Sequence, residues 1–152
     1  MDHGMKAAEL FLQGYNCAQA VAVAFCDVTG LEPAFTAKMA SSFGGGMGRL
    51  REVCGAVSGM LLVAGLVYGY EPDENGDDTA KRAHYQLVQQ LAGAFREECG
   101  SIVCREILKN PPSDPNPTPR TAEFYRKRPC ARMVMTAARI LDDYMAEHPV
   151  EE

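Results

Sequence analysis

The sequence predicts an all-α fold: a compact single-domain bundle of about seven helices around one long apolar central helix. Three observations predict it. The 152 residues are 47% apolar, enough for one real core and, at this length, for one domain spanning 1–152. Trp is absent and aromatics make up only 8%, while Ala, Leu and Met abound, a balance that favours helix over sheet. No stretch of useful length alternates apolar and polar residues, and there is no internal repeat.

The elements follow from periodicity and capping residues. A first helix is expected from about Lys6 to Leu12, ending at Gly14. Asn16 is a good N-cap, and "CAQAVAVAFCDV" follows as a second helix closed by Gly30. Pro33 opens a third, "AFTAKMASSF", which stops at a glycine loop. Val53 to Tyr70 carries no charge and predicts the buried central helix, where Gly55/Gly59 and Gly65/Gly69 let neighbours approach closely. Its length also sits at the lower limit of a membrane span, which is the competing reading of 53–70. "EPDENGDD" is a polar turn before a fifth helix, about Thr79 to Glu98, with a stripe at Leu87, Val88, Leu91, Ala94 and Phe95. Gly100 ends it, and Ser101 caps a short sixth helix through Leu108. Residues 109–129 are a Pro-rich, basic connection, expected to be extended, before a last helix from Cys130 to about Glu147.

Composition narrows the function classes. A formal charge of −5 argues against a nucleic-acid partner. Asp2, Lys6 and Glu9 interrupt the first residues, so no secretory apolar region is expected and the chain reads as cytoplasmic. Thiols stay reduced there, so six cysteines point to metal or redox chemistry rather than to a disulfide framework. There is no C-x-x-C for a thioredoxin-type dithiol or a zinc ribbon, and no C-x-x-C-H for haem. "GGGMG" lacks the Lys-Ser/Thr pair of a phosphate loop and follows a helix. No nucleophile–His–Asp set or acid–base pair suggests a hydrolase or transferase.

Four cysteines share one place in their helices. Cys17 follows the cap Asn16, Cys54 lies in the first turn after the glycine loop, Cys104 lies three residues after Ser101, and Cys130 follows Pro129. Unpaired N–H groups and the helix dipole at such ends stabilise a thiolate, the form that attacks disulfides and binds metals. Cations stand near three of them: Arg49 and Arg51 before Cys54, Arg105 beside Cys104, and Arg126, Lys127, Arg128 and Arg132 around Cys130. The glycines Gly44, Gly45, Gly46 and Gly48 let the chain turn sharply and present N–H groups, while Arg51 and Arg49 raise the potential at Cys54. Cys17, Cys104 and Cys130 each begin the apolar stripe of their own helix, so the sulfurs are expected to meet in one place. Cys26 falls on the face opposite Cys17, and Cys99 sits at a helix end beside Glu97 and Glu98, so both read as core residues. His84 reads as a core histidine, His3 and His148 as solvated ones, and the methionines as core filler.

"YNCAQAV", "FGGGMGRLREVCGAVSG", "GSIVCREIL" and "RPCARMV", in this order, resemble the C-GCAxxG-C-C family of small redox-active proteins. That family is named for one cysteine, a Cys-Gly-Ala-x-x-Gly element and two further cysteines. The resemblance implies that Cys17, Cys54, Cys104 and Cys130 are the functional thiols and that Cys54, Gly55, Ala56 and Gly59 form the element. It also implies a cytoplasmic prokaryotic protein whose genes lie near transporter genes, hence a link to a membrane transporter. The expected chemistry is dithiol–disulfide cycling with a redox partner protein, Cys130 or Cys54 attacking, or an iron–sulfur cluster on the four thiolates. The alternatives are Zn or Cu held on thiolates without redox turnover, or a transporter-associated interaction module. A homodimer fits any of these. Gly44, Gly45, Gly46, Gly48, Arg51, Gly55, Ala56 and Gly59 are the residues expected to surround a cofactor.

Overall fold

The structure, a computed structural model, describes residues 2–150 apart from the side chain of Lys127. Its described residues are helical: α1 His3–Leu12, α2 Cys17–Ala24, α3 Cys26–Thr29, α4 Pro33–Ala40, α5 Gly44–Met47, α6 Gly55–Tyr68, α7 Thr79–Cys99, α8 Cys104–Ile107, α9 Ala122–Lys127 and α10 Cys130–Glu147. Among them α3, α5 and α8 are single turns of four residues, and the other seven are longer. Strands are absent among the described residues, where one isolated antiparallel bridge joins Val53 and Val103.

The core forms around α2, whose Ala18, Ala20, Val21, Ala22, Val23 and Ala24 are all buried. Small side chains on most faces let α1, α4, α6 and α10 close on it from several sides. Against α6 the approach depends on Gly59, where an added Cβ would stand 2.7 Å from the Ala18 carbonyl oxygen. Helix α10 buries Met133, Val134, Ala137, Ala138, Ile140 and Leu141, a spacing of three and four that makes one apolar stripe. It lies against α1, α2, α6 and α7. Helix α6 spans 14 residues and buries seven of them, while α7 at 21 residues is the longest. No helix of the described residues is long and apolar enough to cross a membrane.

Several local expectations change. The predicted second helix breaks at Phe25 (φ −99°, ψ 15°), and α3 restarts from it. Helix α4 ends at Ala40 and tightens into a 3-10 turn over Ser41–Phe43. Ser101 accepts a hydrogen bond from the Val103 N–H, but α8 starts only at Cys104. The 109–129 connection is not extended throughout: Thr121 accepts from the Phe124 N–H and caps α9 inside it.

His3 is not solvated. It is 6% exposed, with Nδ1 2.6 Å from Asp142 and Nε2 2.9 Å from Asp27, and its ring stacks on Phe25 at 4.1 Å. It thereby ties α1 to α3 and α10. His148 does lie exposed, stacked on Tyr144. His84 is half-buried against Tyr70, and its buried Nδ1 has no hydrogen-bond partner.

Candidate functional site

Local capping places each of the four thiols. Asn16 accepts from the Gln19 N–H while the Gln19 side chain accepts from the Asn16 N–H, a reciprocal box that fixes Cys17 as the first residue of α2. Cys130 is the first residue of α10, directly after Pro129. Cys54 is the N-cap of α6 and Cys104 the first residue of α8. Long-range pairing brings the last two together. The Cys54 N–H donates to Ile102 O at 2.7 Å, and the Cys104 N–H donates to Glu52 O at 2.6 Å, on either side of the Val53–Val103 bridge.

The glycine loop closes this arrangement. Gly45 and Gly46 adopt left-handed backbone angles (φ 68° and 72°), and so do Met47, Arg49 and Arg51, which pay a steric penalty that glycine avoids. A Cβ on Gly46 would stand 2.7 Å from Cys104 Cβ and 2.9 Å from Arg51 Cα, so only glycine lets the loop reach the thiol. After the glycines the chain turns back on itself, and the N–H groups of Arg49, Arg51 and Glu52 donate to the carbonyls of Gly44, Gly45 and Gly46.

All four sulfur-bearing residues border one inner cavity of about 30 Å³, together with Arg51 and Gly55. An outer cleft of about 230 Å³ opens beside it, and Cys17 and Cys130 line both spaces. All six cysteines are free thiols. Among the described residues, no group of three or more His, Cys, Asp or Glu is arranged to hold a metal ion.

The thiols differ sharply in acidity. Cys17 and Cys130 line both spaces, and a protonated Cys17 thiol favours the Cys130 thiolate by hydrogen bonding. Cys130 is lowered to about 7, first by that bond and then, against burial, by Arg128, Arg120 and Arg51. Cys17 is correspondingly raised well above its ordinary value, first by the same bond and then by burial. Cys54 is pushed up to about 12 because burial outweighs the Ala56 and Val57 N–H groups that favour its thiolate. The expectation of a thiolate at every helix start is therefore corrected, since desolvation defeats the helix end at Cys54.

The arginines are also redistributed. Arg51 does not serve Cys54: it is 4% exposed, Nε donates to Pro112 O at 2.9 Å, and Nη1 stands 3.7 Å from Cys104 Sγ. Its Nη2 is buried with no partner. Arg49 points to the 109–129 connection, donating from Nε to Asp114 O and from Nη1 to Thr118 Oγ1. Arg105 pairs with Glu52 on the exposed surface. Arg132 bears on Cys99, whose thiol burial raises. Cys26 donates weakly to Thr36 Oγ1 at 3.4 Å. Of the predicted surrounding residues, Gly44 lines the outer cleft, Gly46 and Gly55 the inner cavity, and Gly45 and Arg51 both. Ala56 and Gly59 pack in the core, and Gly48 takes a left-handed turn. Arg120 was missed. It donates to Phe11 O and Tyr15 O and lies over the Phe11 ring at 4.2 Å, a role hidden in a proline-rich stretch whose only cue is the cap Thr121 behind it.

A family model described as "Putative redox-active protein (C_GCAxxG_C_C)" matches residues 15–144. No curated protein and no solved structure matches the chain. The pattern in that description runs Gly-Cys-Ala, which corrects the Cys-Gly-Ala order expected of the family; this chain reads Cys54-Gly55-Ala56, with the first two exchanged. The packing accounts for the glycine: a Cβ at position 55 would stand 2.9 Å from Phe43 O and 3.1 Å from Cys17 Cβ.

Proposed function

We propose that this chain, which belongs to the C_GCAxxG_C_C family, is a thiol redox protein in which Cys130 attacks as the thiolate and Cys17 resolves. One observation carries this: two thiols from separate helix starts line the same inner cavity and outer cleft, and there Cys17 with three arginines lowers Cys130 to about 7. An attacking thiol reacts best when its pKa lies near the ambient pH. The pair also supplies its own sequence of events. Cys17 is held protonated chiefly by its bond to the Cys130 thiolate. Once Cys130 is converted to a mixed disulfide that acceptor is gone, and the Cys17 proton is released more easily for the second attack. Cys54 and Cys104 close the inner wall, and four free thiols suit a reducing compartment such as the cytoplasm.

The second reading is a metal held on thiolates: four cysteines border one cavity, although among the described residues no three such side chains are arranged to hold an ion. A space of about 30 Å³ is the size of one or two waters, which fits a single ion better than a multi-iron cluster. Iodoacetamide labelling of the reduced protein across pH, with peptide mapping after mild oxidation, separates the two. The dithiol reading expects one thiol that labels with a midpoint near 7, loss of that phase in Cys130→Ser, and a Cys17–Cys130 disulfide. A stoichiometric metal with all four thiols shielded from label would overturn it.

A further inference from the structure

We infer that the outer cleft is the recognition site for a small anionic disulfide, one carrying carboxylate or similar anionic groups beside its S–S bond. This deepens the dithiol reading and rests on it. The cleft gathers Arg49, Arg51, Arg120 and Arg128 around the mouth of the Cys17–Cys130 pair. Among the described residues no carboxylate lines it. Asp114 meets Arg49 from outside, with its carboxylate 3.9 Å from Nη2, and Glu123 lines an adjoining groove with Arg128. Even with the Cys130 thiolate counted, four guanidiniums around one cleft face too little negative charge, and desolvated charge calls for a counter-ion.

The second observation is Arg51 itself. It lines the cleft, it is nine-tenths buried, and its Nη2 has no partner. Buried donors are left unpaired at a cost, so a guanidinium that lines the cleft with one donor unspent suits an anionic ligand. The rest of the wall is apolar: Phe11, Phe124 and Pro117. Arg120 and Arg128 stack against those rings, which holds the two guanidiniums in place (4.2 Å over Phe11, 5.4 Å over Phe124). At about 230 Å³ the cleft is below the range of about 300–1,000 Å³ typical of drug-sized ligands, so it suits a small molecule rather than a protein disulfide.

The reaction balances. The Cys130 thiolate attacks one sulfur of R–S–S–R; the S–S bond breaks, Cys130–S–S–R forms and R–S⁻ leaves, taking a proton from water. Cys17 then gives up its proton and attacks Cys130 Sγ, forming the Cys17–Cys130 disulfide and releasing the second R–S⁻, which takes that proton. The two cysteines lose two electrons, and the disulfide is reduced to two thiols.

Single-turnover oxidation of the full-length reduced protein, followed by intact mass, tests this with three probes of similar size: 3,3′-dithiodipropionate (anionic), 2-hydroxyethyl disulfide (neutral) and cystamine (cationic). Each rate is divided by that of the same probe with a small neutral thiol. The measurement is made at pH 8, where cystamine is still cationic; incomplete ionisation of Cys130 in a variant slows all three probes alike and cancels in the ratio. The expected result is an anionic-to-neutral ratio of about tenfold at low salt, with cystamine slowest. That ratio should collapse toward one in Arg128→Gln and Arg51→Gln, and in 0.5 M salt. An unfolded chain would lose the ratio too, so each variant is first shown by its urea midpoint to be folded at the working pH, and the collapse in 0.5 M salt is read on the unaltered protein. Equal normalised rates for all three probes would overturn the inference and leave the dithiol intact. No Cys17–Cys130 disulfide with any probe would overturn both.

Discussion

His3 and Arg51 are both basic side chains taken out of water, 6% and 4% exposed, and they are treated in opposite ways. Both ring nitrogens of His3 face carboxylate oxygens, of Asp142 at 2.6 Å and Asp27 at 2.9 Å, and its backbone N–H donates to Asp142 as well. Arg51 has a carbonyl on Nε, a thiol 3.7 Å from Nη1 and nothing on Nη2. It also holds a left-handed φ of 63°, strained for a residue with a side chain. Where every donor is satisfied, burial fastens helices together. Where one is left over on a side chain that lines the same cleft as Cys130, the stability forgone points to chemistry.

The largest expected effect lies at the satisfied site. His3→Ala removes the ring that bridges Asp27 and Asp142 and stacks on Phe25, and leaves Asp142 only the backbone N–H of residue 3. It should cost about 3 kcal/mol, the upper end for stranding partly buried acceptors, read as a lowered urea midpoint. The Cys130 labelling midpoint should stay near 7. A shift in that midpoint would mean that the two regions are coupled and the contrast between them is false.

The next effect belongs to the thiol pair. Cys130 titrates at about 7 in the folded protein against an ordinary 9, so its thiolate contributes stability that is fully present above 9 and lost as pH falls through 7. Two units correspond to about 2–3 kcal/mol, and about 2 kcal/mol is the reasonable expectation for a partly accessible group. Cys17 and Cys54 are shifted upward, so above 9 they act in the opposite sense, favouring the unfolded chain. Under reducing conditions, stability should rise from pH 6 to a maximum near 9 and then fall. Urea melts of Cys130→Ala should lack the rise and keep the fall; an unchanged rise would assign it to other groups.

Much of this was legible wherever a local rule decides it. Asn16 before Cys17, Pro129 before Cys130 and the stripe through Val134, Ala138 and Leu141 mark α2 and α10, and the last helix runs over the expected residues. The arrangement of four cysteines at helix starts is likewise a matter of capping. What was hidden depends on distance along the chain or depth below the surface. His3 looks like a frayed end because its partner Asp142 lies 139 residues away. Arg120 looks like part of a linker because the carbonyls it binds, Phe11 O and Tyr15 O, lie over a hundred residues earlier. The same helix-start rule gave Cys54 and Cys130 equal standing as attacking thiols, yet burial pushes Cys54 up while Cys17 and three arginines hold Cys130 down, and neither is written in a capping residue.

The smallest change in stability, and the sharpest test of the contrast, comes from Arg51→Met. The substitution keeps most of the buried volume, loses the bonds to Pro112 O and Cys104 Sγ, and removes a charge whose Nη2 is unpaired. Losing two hydrogen bonds and relieving an uncompensated buried charge oppose each other, so stability should change by no more than about 1 kcal/mol in either direction. Reactivity should change more. Arg51 is one of three cations that lower Cys130, and without it the midpoint moves upward from about 7. A rise of about one unit reduces the thiolate fraction at pH 7 from about a half to about a tenth, a roughly fivefold slower alkylation that disappears at pH 9.5. His3→Ala should thus lose stability and keep reactivity, while Arg51→Met does the reverse. If Arg51→Met proves the more destabilising of the two and leaves the Cys130 midpoint at 7, Arg51 is a strut like His3, and the unpaired nitrogen marks no site.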